Sequence, residues 1–153
     1  MTKELIKCYQ IQIDDNEECV PVYIGEYPEV PTPLLKIIKH EEYVIHIVCY
    51  ILTEKEVEHK NYNIVGAIIF KNNNDTNENS DDFKKQEKYE NSICSLDLVY
   101  ENKKYRLYYC DHENKKEEKV KTIDGKLKRD DVVPLLIDGV FSISPTRELL
   151  AKK

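Results

Sequence analysis

The chain has no tryptophan and only four glycines among its 153 residues. None of those glycines falls in a glycine-rich loop, so the backbone cradle of a P-loop or dinucleotide site is missing. No Cys-x-x-Cys or His-x-x-x-His pair occurs either, and a structural zinc site needs four ligands at such short spacings. The longest apolar stretch, Tyr43 to Leu52, is interrupted by His46 and is far too short to span a bilayer. The opening MTKELIKCYQIQID carries no apolar core of signal-peptide length, which gives a cytosolic expectation with no membrane partner. Basic charge is in the minority: 23 Lys and Arg stand against 29 Asp and Glu, for a net charge of -6. Nucleic-acid affinity rests on Lys and Arg displacing condensed counterions, so nucleic acid is not an expected partner, and protein surfaces of basic or mixed charge are. The five cysteines are an odd number, and four lie in apolar or alternating runs, as buried free thiols of a reducing compartment do.

What is present is mostly strand pattern. Tyr9, Ile11 and Ile13 alternate with glutamines, and Val20, Val22 and Ile24 alternate with Pro21 and Tyr23, so both segments read as half-buried strands. Pro21 belongs on an edge or at a bulge. Gly25 to Pro33 holds three prolines and reads as a surface loop of polyproline character. Leu34 to Ile38 leads into Tyr43–Leu52, where both alternating sets are mostly apolar, as in a central strand covered on both faces. Tyr62 to Phe70 is a second apolar run in which Gly66 marks a bulge or close packing. The tract KNNNDTNENSDDFKKQEKYEN, residues 71–91, reads as a polar, mobile insertion.

Two alternating runs, Cys94–Tyr100 and Tyr105–Cys110, flank Glu101-Asn102-Lys103-Lys104 and predict a hairpin with a four-residue connector on a type I turn. Asp124-Gly125 and Asp138-Gly139 read as further turns, and Val132–Ile137 and Val140–Ile143 as the last strands. Ser144-Pro145 before Thr146–Leu150 predicts a short closing helix with Ser144 as its N-cap. The whole, residues 1–153, reads as one all-β domain, an antiparallel β-sandwich with a short C-terminal helix.

Chemistry is sparse. Cys110-Asp111-His112 and the pair His46 and Cys49 have no specific ligand or nucleophile spacing. The bland readings are a strand end entering a solvated turn and a packed core pair. Most carboxylates sit in polar runs where water solvates them. Eleven tyrosines at strand positions suit pleated packing better than base stacking. No positive sign of an enzyme emerges, and no cofactor or metal is expected. The loops are the more informative surface: Gly25–Pro33, Thr53–Asn61 and Asp81-Asp82-Phe83 each set carboxylates beside an apolar or aromatic side chain.

Three segments in order, LLKIIKHEEYVIHIVCYIL, NYNIVGAIIFKNNN and ENSICSLDLVYENKKYRLYYCDHEN, resemble the small poxvirus host-range family of the vaccinia C-seven type. The resemblance covers roughly Tyr9 to Val120 and is one of pattern and spacing. It implies a monomeric, cofactor-free β-sandwich in the host cell cytoplasm that binds an interferon-induced antiviral protein of the sterile-alpha-motif class. By position, the family's binding loops fall at Glu26 and Tyr27, at Thr53, Glu54, Lys55 and Glu56, and at Asp82 and Phe83. The family's better-studied members have a basic residue where Glu26 stands and a tryptophan-containing acidic–aromatic pair near Thr53 and Glu54, so this chain is a divergent member by that comparison. Two further readings are a non-viral sandwich adaptor with another protein ligand and a metal-dependent enzyme built on Cys110 and His112.

Overall fold

A computed structural model describes residues 4–59, 61–71 and 91–151. Of the polar tract only Lys71 and Asn91 are among them; its expected mobility, and the positions of Asp82 and Phe83, lie outside the described residues. The described strands are β1 (Ile6–Ile13), β2 (Cys19–Tyr27), β3 (Leu34–His40), β4 (Tyr43–Cys49), β5 (Ile51–Thr53), β6 (Tyr62–Lys71), β7 (Cys94–Glu101), β8 (Lys104–Asp111) and β9 (Lys116–Ile123). Among the described residues three helices join them: α1 (Glu54–Glu58), α2 (Val132–Ser142) and α3 (Ser144–Ala151), with a short 3-10 turn at Arg129–Asp131 before α2.

All the strand pairs are antiparallel, in a six-stranded sheet ordered β3-β4-β6-β7-β8-β9 and a three-stranded sheet ordered β2-β1-β5. The expected β-sandwich is therefore present. One core lies between the layers. Ile45, Ile47, Leu96 and Leu107 of the large sheet are buried there with Ile11 and Ile13 of β1. At roughly 1.5–3 kcal/mol per fully buried aliphatic side chain, this layer supplies the main drive to fold. Pro21 is exposed on β2, at the edge of the small sheet, where its missing N–H costs no ladder bond.

The run Tyr43–Leu52 is fully buried over β4, as a central strand should be, yet it is two strands. The chain leaves the large sheet at Tyr50 and continues as β5 in the small one. Tyr50 stays tied to the large sheet, with its N–H donating to the Ile64 carbonyl at 3.0 Å.

Four local expectations are corrected. Val132–Ile137 and Val140–Ile143 are not strands, because Val132, Leu136, Gly139 and Val140 are the buried positions of α2, at helical spacing. Pro134 is tolerated because it falls in the first turn, whose N–H groups have no intrahelical acceptor. Asp138-Gly139 is not a turn: Gly139 faces β7 and β8, and a Cβ there would lie 3.1 Å from Leu96 and 3.3 Å from Leu107. Gly25–Tyr27 belongs to β2, so the proline-rich loop begins only at Pro28. The β7–β8 connector is a two-residue turn in which Glu101 pairs with Lys104 and both Asn102 (φ 51°) and Lys103 (φ 65°) are left-handed. That is type I′ geometry, whose twist matches the flanking strands. The helix expected after Ser144 is present as α3.

Gly66 is placed by close approach. A Cβ there would stand 2.6 Å from both Asp97 Oδ1 and Tyr50 Cε2. Gly66→Ala should therefore destabilise the fold by at least ~1–3 kcal/mol, the usual cost of overpacking. Urea unfolding of the variant beside wild type measures it.

Candidate functional site

Two places gather chemically distinctive residues, and they lie on different sheets. The first is one end of the small sheet. Cys8 of β1 pairs with Gly25 on one side and Thr53 on the other, so β2 and β5 flank β1 at the same level. At about 4.8 Å per strand, Gly25 and Thr53 are roughly 10 Å apart. Beyond that level β2 continues to Glu26 and Tyr27, opposite Lys7 and Ile6, and β5 passes into α1. Two of the three expected loops are thus brought together.

The segment after Thr53 is a helix and not the expected loop. Thr53 is its N-cap: the Glu56 N–H donates to Thr53 Oγ1 at 3.3 Å, and the Thr53 N–H donates back to Glu56 Oε1 at 3.0 Å. This reciprocal capping box is encoded locally, in Thr53-Glu54-Lys55-Glu56. It leaves Glu54 and Lys55 projecting from a fixed turn, and both are exposed along with Glu26. Tyr27 is half-buried instead; its hydroxyl donates to the Ile24 carbonyl at 3.2 Å, and its ring packs on the small cluster of Cys8, Cys49 and Ile51. Tyr27 therefore braces the end of β2 more than it offers a free aromatic tip.

The second place was not expected. Asp97, between Leu96 and Leu98 on β7, faces away from the core into a polar group formed by Tyr50, Ser95, Cys110 and His112. Its Oδ1 accepts from the Tyr50 hydroxyl at 2.6 Å; its Oδ2 accepts from Ser95 Oγ and Cys110 Sγ, both at 3.3 Å. His112 reaches Ser95 Oγ through Nε2 at 3.1 Å and Ser92 Oγ through Nδ1 at 2.5 Å. The β7–β8 register builds this group by setting Ser95 opposite Cys110. The expectation of a solvated turn at Cys110 and His112 is corrected accordingly, since both are half-buried.

Burial raises the Asp97 pKa above its ordinary value, and its three donors pull it part of the way back. Burial also lowers the His112 pKa, against the attraction of Asp97 and Asp111. The Cys110 thiol is pushed upward by burial and by the Asp97 charge, so it is held as the protonated thiol and is a poor nucleophile at neutral pH. Cys19 and Cys94 are pushed up to about 11, mainly by burial. Ser, His and Asp occur together here in an order unlike a hydrolytic triad. The carboxylate holds the serine and not the imidazole, and Ser95 is 2 % exposed. Among the described residues no three His, Cys, Asp or Glu side chains form a group that could hold a metal ion. The pair His46 and Cys49 is buried; His46 packs edge-on against Phe70, and Cys49 accepts from Gln10 Nε2 at 3.3 Å.

Among the described residues no helix is long and apolar enough to cross a membrane. No family model, curated protein or solved structure matches the chain, so the host-range resemblance rests on the sequence pattern alone.

Two outcomes follow from these geometries. Thr53→Ala should cost about 1 kcal/mol through loss of the cap and should speed amide exchange in α1 ahead of the sheets, as hydrogen-exchange NMR would show. Tyr50→Phe removes a donor from a half-buried carboxylate and should cost ~1–3 kcal/mol at pH 7. The Asp97 contribution is fully present below the ordinary value of 3.8 and is lost as pH rises through the raised native pKa. Without Tyr50 that native pKa rises further, so the stability gap between variant and wild type opens with increasing pH. Unfolding curves at pH 3 to 8 measure it.

Proposed function

We propose that this protein is a stoichiometric binding factor of the viral host-range type, which masks an interferon-induced host antiviral protein of the sterile-alpha-motif class in the host cytoplasm. The observation that supports it is the convergence of Glu26 and the capped turn Thr53–Glu56 on either side of β1. A docking surface needs side chains held on a pre-ordered backbone, because ordering them on contact would subtract from affinity. Here strand pairing fixes one contributor and a capping box fixes the other. Asp82 and Phe83, the third part of the implied surface, lie outside the described residues.

The acidic side chains Glu26, Glu54 and Glu56 favour a partner face of opposite charge, which would speed encounter and set orientation. The exposed pair Glu26 and Glu54 can be reversed to Lys without touching the cap. Surface changes of that kind usually alter stability by less than about 0.5 kcal/mol.

The test is an affinity pull-down from interferon-treated and untreated mammalian lysates, read by mass spectrometry, with wild type and the Glu26→Lys/Glu54→Lys variant. The expected result is enrichment of a sterile-alpha-motif antiviral protein after interferon, lost in the variant while its cooperative melt persists. Capture of a different partner through the same two residues, independent of interferon, would favour the adaptor reading. Binding that ignores both substitutions would remove this end of the small sheet from the account.

A further inference from the structure

The hydrogen bonds around Asp97 have a fixed direction, and the direction carries information. An ionised carboxylate can only accept. Ser95 has the Tyr50 oxygen and the carboxylate as neighbouring acceptors, and its only hydroxyl proton goes to the charged one, Asp97 Oδ2, at 3.3 Å. Its oxygen is then the acceptor in the 3.1 Å contact with His112, which makes His112 Nε2 the donor. A neutral imidazole protonated at Nε2 is bare at Nδ1, and there the Ser92 hydroxyl, 2.5 Å away, donates. All three bonds run one way, from Ser92 through His112 and Ser95 to the carboxylate.

We propose that Ser92, His112 and Ser95 form a proton relay to the half-buried Asp97 carboxylate, and that one proton taken up at the Ser92 end discharges Asp97 by reversing every bond in the chain. The steps balance. A solvent proton adds at Ser92 Oγ as Ser92 passes its own to His112 Nδ1, Nε2 passes its proton to Ser95 Oγ, and Ser95 passes its own to Asp97 Oδ2. The product is a neutral carboxylic acid and a neutral imidazole protonated at Nδ1. Asp97 then donates to Ser95, Ser95 to Nε2, and Nδ1 to Ser92. Each contact survives with its heavy atoms in place, and the Tyr50 hydroxyl keeps its acceptor at Oδ1.

The surroundings favour this outcome over an imidazolium beside a carboxylate. Burial disfavours the charged form of both groups, raising the Asp97 pKa and lowering that of His112. The other titratable groups at the relay are Tyr50, Cys110, Asp111 and Glu117. Cys110 Sγ lies 3.3 Å from Asp97 and 3.4 Å from Glu117 Oε2, so its single proton can turn to Glu117 when Asp97 is discharged. Asp111 is the one that favours an imidazolium, and its carboxylate is already engaged by the Glu113 and Asn114 N–H groups and by Asn114 Nδ2.

The experiment is a pH titration of the full chain by NMR. It follows the His112 ring nitrogens, assigned by loss of the signals in His112→Gln, beside the Asp97 carboxyl carbon. Wild type should show the neutral Nε2–H tautomer at pH 8. As the Asp97 carbon reports protonation, His112 should change to the neutral Nδ1–H tautomer at the same midpoint and become imidazolium only at lower pH. Ser95→Ala should separate the two midpoints. A neutral Nδ1–H tautomer at pH 8, a direct passage to imidazolium with Asp97 still ionised, or midpoints that coincide equally well in Ser95→Ala would each overturn the proposal. Should Ser95→Ala fail to fold, the wild-type titration decides alone.

Discussion

A carboxylate largely shielded from water must find most of its donors among the atoms around it, and the placement of Asp97 constrains much of this molecule. Leaving such a group without them costs more than most single contacts contribute. Tyr50 supplies one donor only because Gly66 has no side chain, which lets the phenol lie over β6. Tyr50 is also the residue at which the chain changes sheets. The same hydrogen bond that satisfies Asp97 therefore pins the start of β5 to the large sheet.

That pin reaches the candidate docking end. Only Ile51 and Leu52 separate Tyr50 from Thr53, and both are buried. The helix N-cap thus stands on a strand that is anchored at its origin and paired with β1 along its length. The exposed carboxylates of α1 are carried by a backbone with little freedom to rearrange. For the proposed binding role, such rigidity is the useful property.

The sheets were largely legible in the sequence because alternation of polar and apolar residues is a local property. Tyr9–Ile13, Cys94–Tyr100 and Tyr105–Cys110 each announce a strand by period, and Pro21 announces an edge. The α2 helix reads as strands because VVPLLIDGV is apolar at too many positions to show one period, while Asp138-Gly139 has the composition of a turn. The real role of Gly139, which admits the helix to the sheet, depends on neighbours from β7 and β8. The Asp97 group was hidden for a stronger reason. Its members come from positions 50, 66, 95, 97, 110 and 112, and only strand register brings them together. The one local hint was a carboxylate between two leucines. The acidic turn of α1 could have been read fully, since a Thr-x-x-Glu signature encodes its cap.

The crossing at Tyr50 also bears on the order in which the chain assembles. β1 and β2 are neighbours in sequence and can pair early, whereas β1 must wait some forty residues for β5. Until β4 to β8 are in register, the apolar face of that first hairpin, with Ile11 and Ile13, has nothing to cover it. Closure of long loops slows folding and prolongs the exposure of sticky surface. On a ribosome the N-terminal hairpin therefore spends the longest time as an unpaired half, and synthesis must run past Leu107 before its apolar side can be sealed.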